Sequence, residues 1–142
     1  MFKRIFFGGE DAVSSAGNLG ITLLRVFAGI GLISHGYTKL PPSEQFVQLV
    51  GNIGFPMPHI FAWAAALSES AGGVLLILGF LTRITSFFVA FTMATAFIGV
   101  HLNDPFQKQE LALLYFFIAL CFMLFGANSW SVDGIIRRRG SL

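Results

Sequence analysis

Six side chains in a largely apolar chain carry groups that hold charge or exchange protons. They are Arg25, His35 and Lys39 within "RVFAGIGLISHGYTKL", Glu69 within "SESAGG", and His101 and Glu110 on either side of "LNDPFQKQ". An imidazole titrates near neutral pH, a carboxylate accepts protons, and a guanidinium or ammonium donates hydrogen bonds. Together these types suit the binding of a polar head group and the movement of a proton. Metal chemistry fits less well, because no His-x3-His or carboxylate–histidine pair falls on one helix face, and no metal site is expected. The single Cys121 allows neither an internal disulfide nor a CxxC dithiol and reads as an inert small hydrophobe.

The elements that position these groups belong to a membrane protein. Of 142 residues 55% are hydrophobic and 11% charged, where a soluble domain is about a quarter charged. Four apolar segments, residues 19–38, 60–81, 84–100 and 111–127, each approach the ~20 residues that cross a bilayer as a helix. "LPPSEQ", "FPMPH", "LTRI" and "LNDPFQKQE" punctuate them. Lys3, Arg4, Arg83, Arg137, Arg138 and Arg139 fall on one side of these spans, and only Lys39 and Lys108 on the other. The positive-inside rule then predicts an all-α membrane protein, a four-transmembrane-helix bundle with both termini cytoplasmic. Residues 1–18 form a cytoplasmic leader, either a short interfacial helix or a segment without fixed structure. Residues 19–136 form the membrane domain, and residues 137–142 a basic cytoplasmic tail. His35, Lys39, His59, His101 and Glu110 come to the outer surface.

At 100° per residue Arg25, Ala28, Gly29, Leu32, His35, Gly36 and Lys39 share one stripe of the first span. Ala62, Ala65, Ala66, Glu69, Gly72 and Gly73 share one of the second. Small residues mark the faces on which membrane helices meet, so the polar groups should point into the bundle. Counted from the cytoplasmic ends at ~1.5 Å per residue, Arg25 lies roughly 9 Å deep, Glu69 roughly 18 Å and His35 roughly 24 Å. Glu69 is therefore expected beside Arg25, His35 or both. Simpler readings stand next to these. Lys39, His59 and His101 sit where side chains snorkel to head groups, Arg83 anchors topology, and an Arg25–Glu69 pair would fix helix register. Trp63, Tyr115 and the phenylalanines suit lipid-facing or core positions.

From residue 19 to residue 136 the chain resembles the DoxX family of small bacterial four-helix membrane proteins. The resemblance rests on "LLRVFAGIGLISHGYTKL", "SESAGGVLLILGFLTR", "MATAFIGVH", "QELALLYFFIAL" and "FGANSWSVD", in that order. It implies that Arg25, His35, Lys39, Glu69, His101 and Glu110 occupy the family's recurrent polar positions. The related DoxD branch resembles the membrane subunit of thiosulfate:quinone oxidoreductases, and other members are associated with membrane-linked redox assemblies. With no second cysteine and no evident cofactor motif, this chain does not read as a self-contained thiosulfate enzyme.

The leading expectation is a quinone-interacting or redox-associated component of the bacterial inner membrane, and, if an enzyme, a membrane oxidoreductase component. Its ligand-binding recess would be lined by Arg25, His35, Lys39, Glu69, His101 and Glu110. No covalently bound cofactor is expected, and a quinone is the candidate ligand. Implied partners are the bilayer, a quinone, a soluble redox protein and a second copy of the chain, with no role for nucleic acid. The alternative is a non-catalytic scaffold that recruits a soluble partner. A small-solute transporter fits less well, since four helices make a narrow bundle without inverted repeats.

Overall fold

The computed structural model describes residues 13–139. Among the described residues six α-helices follow in order: α1 Ser15–Tyr37, α2 Glu44–Asn52, α3 Pro58–Leu78, α4 Thr82–Ala96, α5 Phe106–Phe125 and α6 Val132–Arg139. A π-helical turn, Phe97–His101, extends α4. α1, α3, the extended α4 and α5 are each long and apolar enough to cross a membrane. The four spans extend past the apolar segments at several ends because helices continue through polar flanking turns. Most of the leader, residues 1–12, and the end of the tail, residues 140–142, lie outside the described residues.

α1 packs chiefly on α3 and α4 on α5, with α3 also against α4. Tyr115 of α5 closes the ring by seating its hydroxyl against Gly31 of α1, where no side chain intervenes. Small residues set the α1–α3 seam, as their stripes imply. A methyl at Gly29 would come within 2.6 Å of the Gly73 carbonyl oxygen, and one at Gly36 would strike Ser70 N and the Glu69 side chain. Leu32, Leu76, Val89, Ala90, Met93 and Ala119 fill the centre of the bundle. Phenylalanine and leucine side chains cover the lipid-facing outside instead, as a bilayer solvent permits.

Two short helices lie outside the four spans. Ser43 caps α2, accepting from Phe46 N through Oγ at 3.3 Å. The apolar face of α2 sets Val47 and Val50 on Ala62 of α3, with Phe46, Phe55 and Phe61 around them. Its C-terminal neighbour Ile53 reaches the π turn, which approaches closely because Gly99 has no side chain there. At the other end of the bundle, where α1 starts and α5 ends, the segment leading into α6 ties the helices together. Asn128 Nδ2 donates to Asn18 O and Thr22 Oγ1, both at 2.9 Å, and Ser129 Oγ to Asn18 Oδ1 at 2.9 Å. Asp133 accepts from Leu81 N at 2.8 Å and Thr82 N at 2.9 Å, capping α4. That cap holds Leu81 at φ 50, a left-handed geometry that costs about 1–2 kcal/mol for a side-chain-bearing residue.

Candidate functional site

The ionisable groups separate to the two ends of the bundle, and the central apolar core lies between them. At the end where α1 starts and α5 ends, Arg25 is 1% exposed and its Nη2 donates to Trp130 O at 2.9 Å. Asp133 is its electrostatic partner there. Gly79, at φ +64, gives the guanidinium room that a methyl would fill. Arg25 thus belongs to the knot formed by residues 128–133 and does not meet Glu69.

At the opposite end Lys39, at the foot of α1, reaches back to Glu69. Its Nζ donates to Glu69 Oε1 at 2.6 Å and to Oε2 at 2.7 Å. Glu69 is 1% exposed and the Lys39 side chain 35%. The ammonium also lies 5.8 Å from the centre of the Phe46 ring, within cation–π range. Glu69 was expected beside Arg25 or His35; its carboxylate is instead held by Lys39. The reasons are that the His35 side chain is exposed and that the register brings Glu69 nearer to Lys39. With Gly29 against Gly73 and Gly36 against Glu69, Leu81 is level with about Leu23 rather than Leu19. The depth count therefore placed Glu69 about one helical turn (~5.4 Å) too far from Lys39. Lysine's flexible four-carbon stem spans what remains.

Two cavities adjoin this ion pair. A polar chamber of about 180 Å³ inside the mouth of the bundle is lined by His35, Lys39, Glu69, His101, Lys108 and Tyr115, with Leu32, Met93 and Ala96 at its base. The His35 and Tyr115 rings meet edge to face, centres 6.2 Å apart. His101 closes the rim through a 2.8 Å bond from Nδ1 to Asp104 Oδ2. A carboxylate only accepts, so Nδ1 carries the proton. That bond, with help from Lys108, holds the Asp104 carboxyl below its ordinary range. The chamber therefore concentrates two imidazoles, two ammonium groups and a phenol around one buried carboxylate.

The second cavity, about 340 Å³, lies beneath α2 between α3 and α4. Phe46, Phe55, Phe61, Phe87, Phe88 and Phe91 line it, and Lys39 and Glu69 form its polar end. Phe87, Phe88 and Phe91 also present surface on the outside of the bundle, so this groove opens on the bundle's side. Ser68 and Thr92, joined at 2.7 Å, tie α3 to α4 along its wall.

Of the six residues expected in one recess, His35, Lys39, Glu69 and His101 border the polar chamber. Arg25 lies at the other end, and Glu110 is exposed on α5 and borders neither cavity. Glu110 turns away because α5 begins at Phe106, five residues before the apolar segment, and the face toward the chamber is that of Lys108, Leu111, Ala112 and Tyr115. Sequence reasoning did not single out Lys108 or Tyr115 for this site. The i, i+3, i+4, i+7 spacing of 108, 111, 112 and 115 is the signal that was there to read.

Four helices of spanning length, short connections and a buried arginine and glutamate within otherwise apolar spans define a small multi-pass integral membrane protein. The DoxX family model matches residues 20–102, and the chain belongs to the DoxX family. A Bacillus subtilis (strain 168) protein named "Putative oxidoreductase CatD" is 34% identical over 119 residues, covering 83% of this chain and 87% of that protein. The inner membrane protein YqjF of Escherichia coli (strain K12) is 27% identical over 131 residues, 86% of this chain and 95% of its own. The inner membrane protein YphA of the same strain is 32% identical over 85 residues, 59% and 61% of the two chains. No solved structure matches. Family, relatives and spans together make this a multi-pass protein of the bacterial inner membrane.

Proposed function

We propose that this DoxX protein is a quinone-interacting, redox-associated component of the inner membrane, with the quinone ring held in the polar chamber against Lys39 and Glu69. One observation carries this reading: a buried carboxylate, paired to a lysine, faces a chamber of proton-bearing side chains set in apolar helices. A quinone, when bound, supplies two-electron, two-proton chemistry. Lys39 Nζ donates to one ring oxygen, and the Tyr115 hydroxyl or a chamber imidazole to the other. Glu69 takes or gives the proton, since a carboxylate paired to an ammonium and sharing a chamber with two imidazoles has groups to exchange with.

The two protons that reduction of the quinone consumes enter by the rim at His101 and Lys108, because the apolar layer from Leu32 to Ala119 bars the route past Arg25. Under the charge asymmetry that puts both termini in the cytoplasm, this rim faces outward. Electrons come from a soluble redox partner. The name of the Bacillus relative supports a redox role in the same terms.

The test is equilibrium binding of a short-tail benzoquinone to the purified protein in lipid nanodiscs. Wild-type protein is expected to bind saturably, and Lys39→Gln and Glu69→Gln to bind about tenfold more weakly, the loss of one charge-assisted hydrogen bond. A wild-type protein that takes up no quinone beyond bilayer partitioning overturns the proposal and favours the scaffold role.

A further inference from the structure

We infer that the phenylalanine-lined groove beneath α2 is a chain-binding site continuous with the polar chamber, so that the protein's ligand is a single-chain amphiphile with a planar, hydrogen-bonding head, taken up sideways from the bilayer. This rests on the chamber being the head-group site. Size is the first argument. The chamber, at about 180 Å³, is smaller than a typical small-molecule pocket of ~300–1,000 Å³. It suits a single ring and leaves no room for a substituent chain. The groove, at about 340 Å³, supplies the missing volume.

Continuity is the second argument. The two cavities share Lys39, Glu69 and Ala96. Where they meet, α4 contributes only the Ala96 methyl. Lys39 is about a third exposed and held through a flexible stem, so it can yield while keeping an oxygen partner. A ligand lying across this seam has its polar atoms beside the ion pair and its chain among aromatic rings.

The third argument is direction. Three of the lining rings are also on the lipid face, so the groove connects to hydrocarbon and a chain reaches it without crossing water. Lipid is already apolar, so the gain on docking comes from dispersion contacts with close-set rings rather than from leaving water.

The experiment compares two probes in nanodiscs, a chainless benzoquinone head and the same head with a decyl chain, with ligand expressed as mole fraction in the bilayer. The decyl compound is expected to bind wild-type protein about tenfold more tightly. Ala65→Phe, which fills the groove wall without touching the chamber, should bring the decyl compound to the affinity of the bare head and leave the bare head unchanged. Retained head binding also reports that this variant is folded. If Ala65→Phe loses both probes, the smaller Ala64→Leu replaces it, and the same selective loss is expected. Equal affinity of both probes for wild-type protein, as when a bilayer acyl chain occupies the groove, overturns the chain site while the head-group site stands. Selective loss absent from both groove variants overturns it as well. Binding of neither probe removes the head-group reading and this inference with it.

Discussion

Glu69 and Lys39 depend on each other unequally, and substitutions should show it. Glu69→Gln leaves the ammonium with a neutral amide, a loss of about 2 kcal/mol, lower than for a fully buried pair because Lys39 can turn toward water. Lys39→Met strands a carboxylate that is 1% exposed and should cost more, about 3 kcal/mol or above. The double variant Lys39→Met with Glu69→Leu is expected to lose less than the sum. Thermal unfolding of the four proteins in one detergent measures the cycle. Asp104 gives a pH test. Its carboxyl is held low in the fold, so its contribution is present above the ordinary carboxylate pKa of ~3.9 and fades only as pH falls through the lower folded value. Labelling of a cysteine placed at Asn103 should therefore show no Asp104-dependent loosening at pH 5. A loosening there that Asp104→Asn abolishes contradicts the assignment. The sequence marked Arg25, Lys39 and Glu69 as costly and inward-facing, which they are. It did not reveal their pairing, because partner choice between helices turns on a one-turn offset that no single helix encodes.

Among the elements, the α1–α3 seam is the most sensitive. Gly36→Val should push the helices apart at Glu69 and lower stability by about 1–3 kcal/mol, the usual cost of overpacking. A control such as Gly20→Val, where no atom lies within 4 Å of the added carbon, should stay near wild type, and the two melting temperatures decide it. Asp133→Asn should cost about 3 kcal/mol, more than the ~1 kcal/mol of a weakened cap on α4, because it also leaves the buried Arg25 without its electrostatic partner. The four spans and both small-residue faces were legible because lipid forces long apolar runs and close contacts force glycine and alanine. α2 was legible in principle from the Ser43 cap and the spacing of Phe46, Val47 and Val50, but a nine-residue helix outside the hydrocarbon makes no hydropathy signal. The knot of Asn18, Asn128 and Asp133 spans more than a hundred residues of sequence, and only its resemblance to a family exit motif hinted at it.

For the whole molecule, composition and hydropathy fixed the class of fold, whereas the placement of two cavities on either side of one ion pair emerged only from tertiary packing. From the lysine and arginine distribution we propose that both termini are cytoplasmic. Cysteines at positions 43 and 107 should react with an impermeant thiol reagent from outside intact spheroplasts, and cysteines at 3 and 140 only after lysis. Labelling of position 43 from the cytoplasmic side alone contradicts that orientation. The central claim is that Lys39 and Glu69 hold a quinone ring at the outer mouth of the bundle, and site mapping of a photoreactive quinone tests it most directly. After illumination in nanodiscs and peptide mass spectrometry, covalent label is expected on segments bordering the ion pair, in α3 around Glu69, in the π turn around His101 and in α5 around Tyr115, with competition by unlabelled quinone and loss in Glu69→Gln. Label confined to outward-facing positions such as Phe27 and Leu114, indifferent to competitor and to Glu69→Gln, would contradict it.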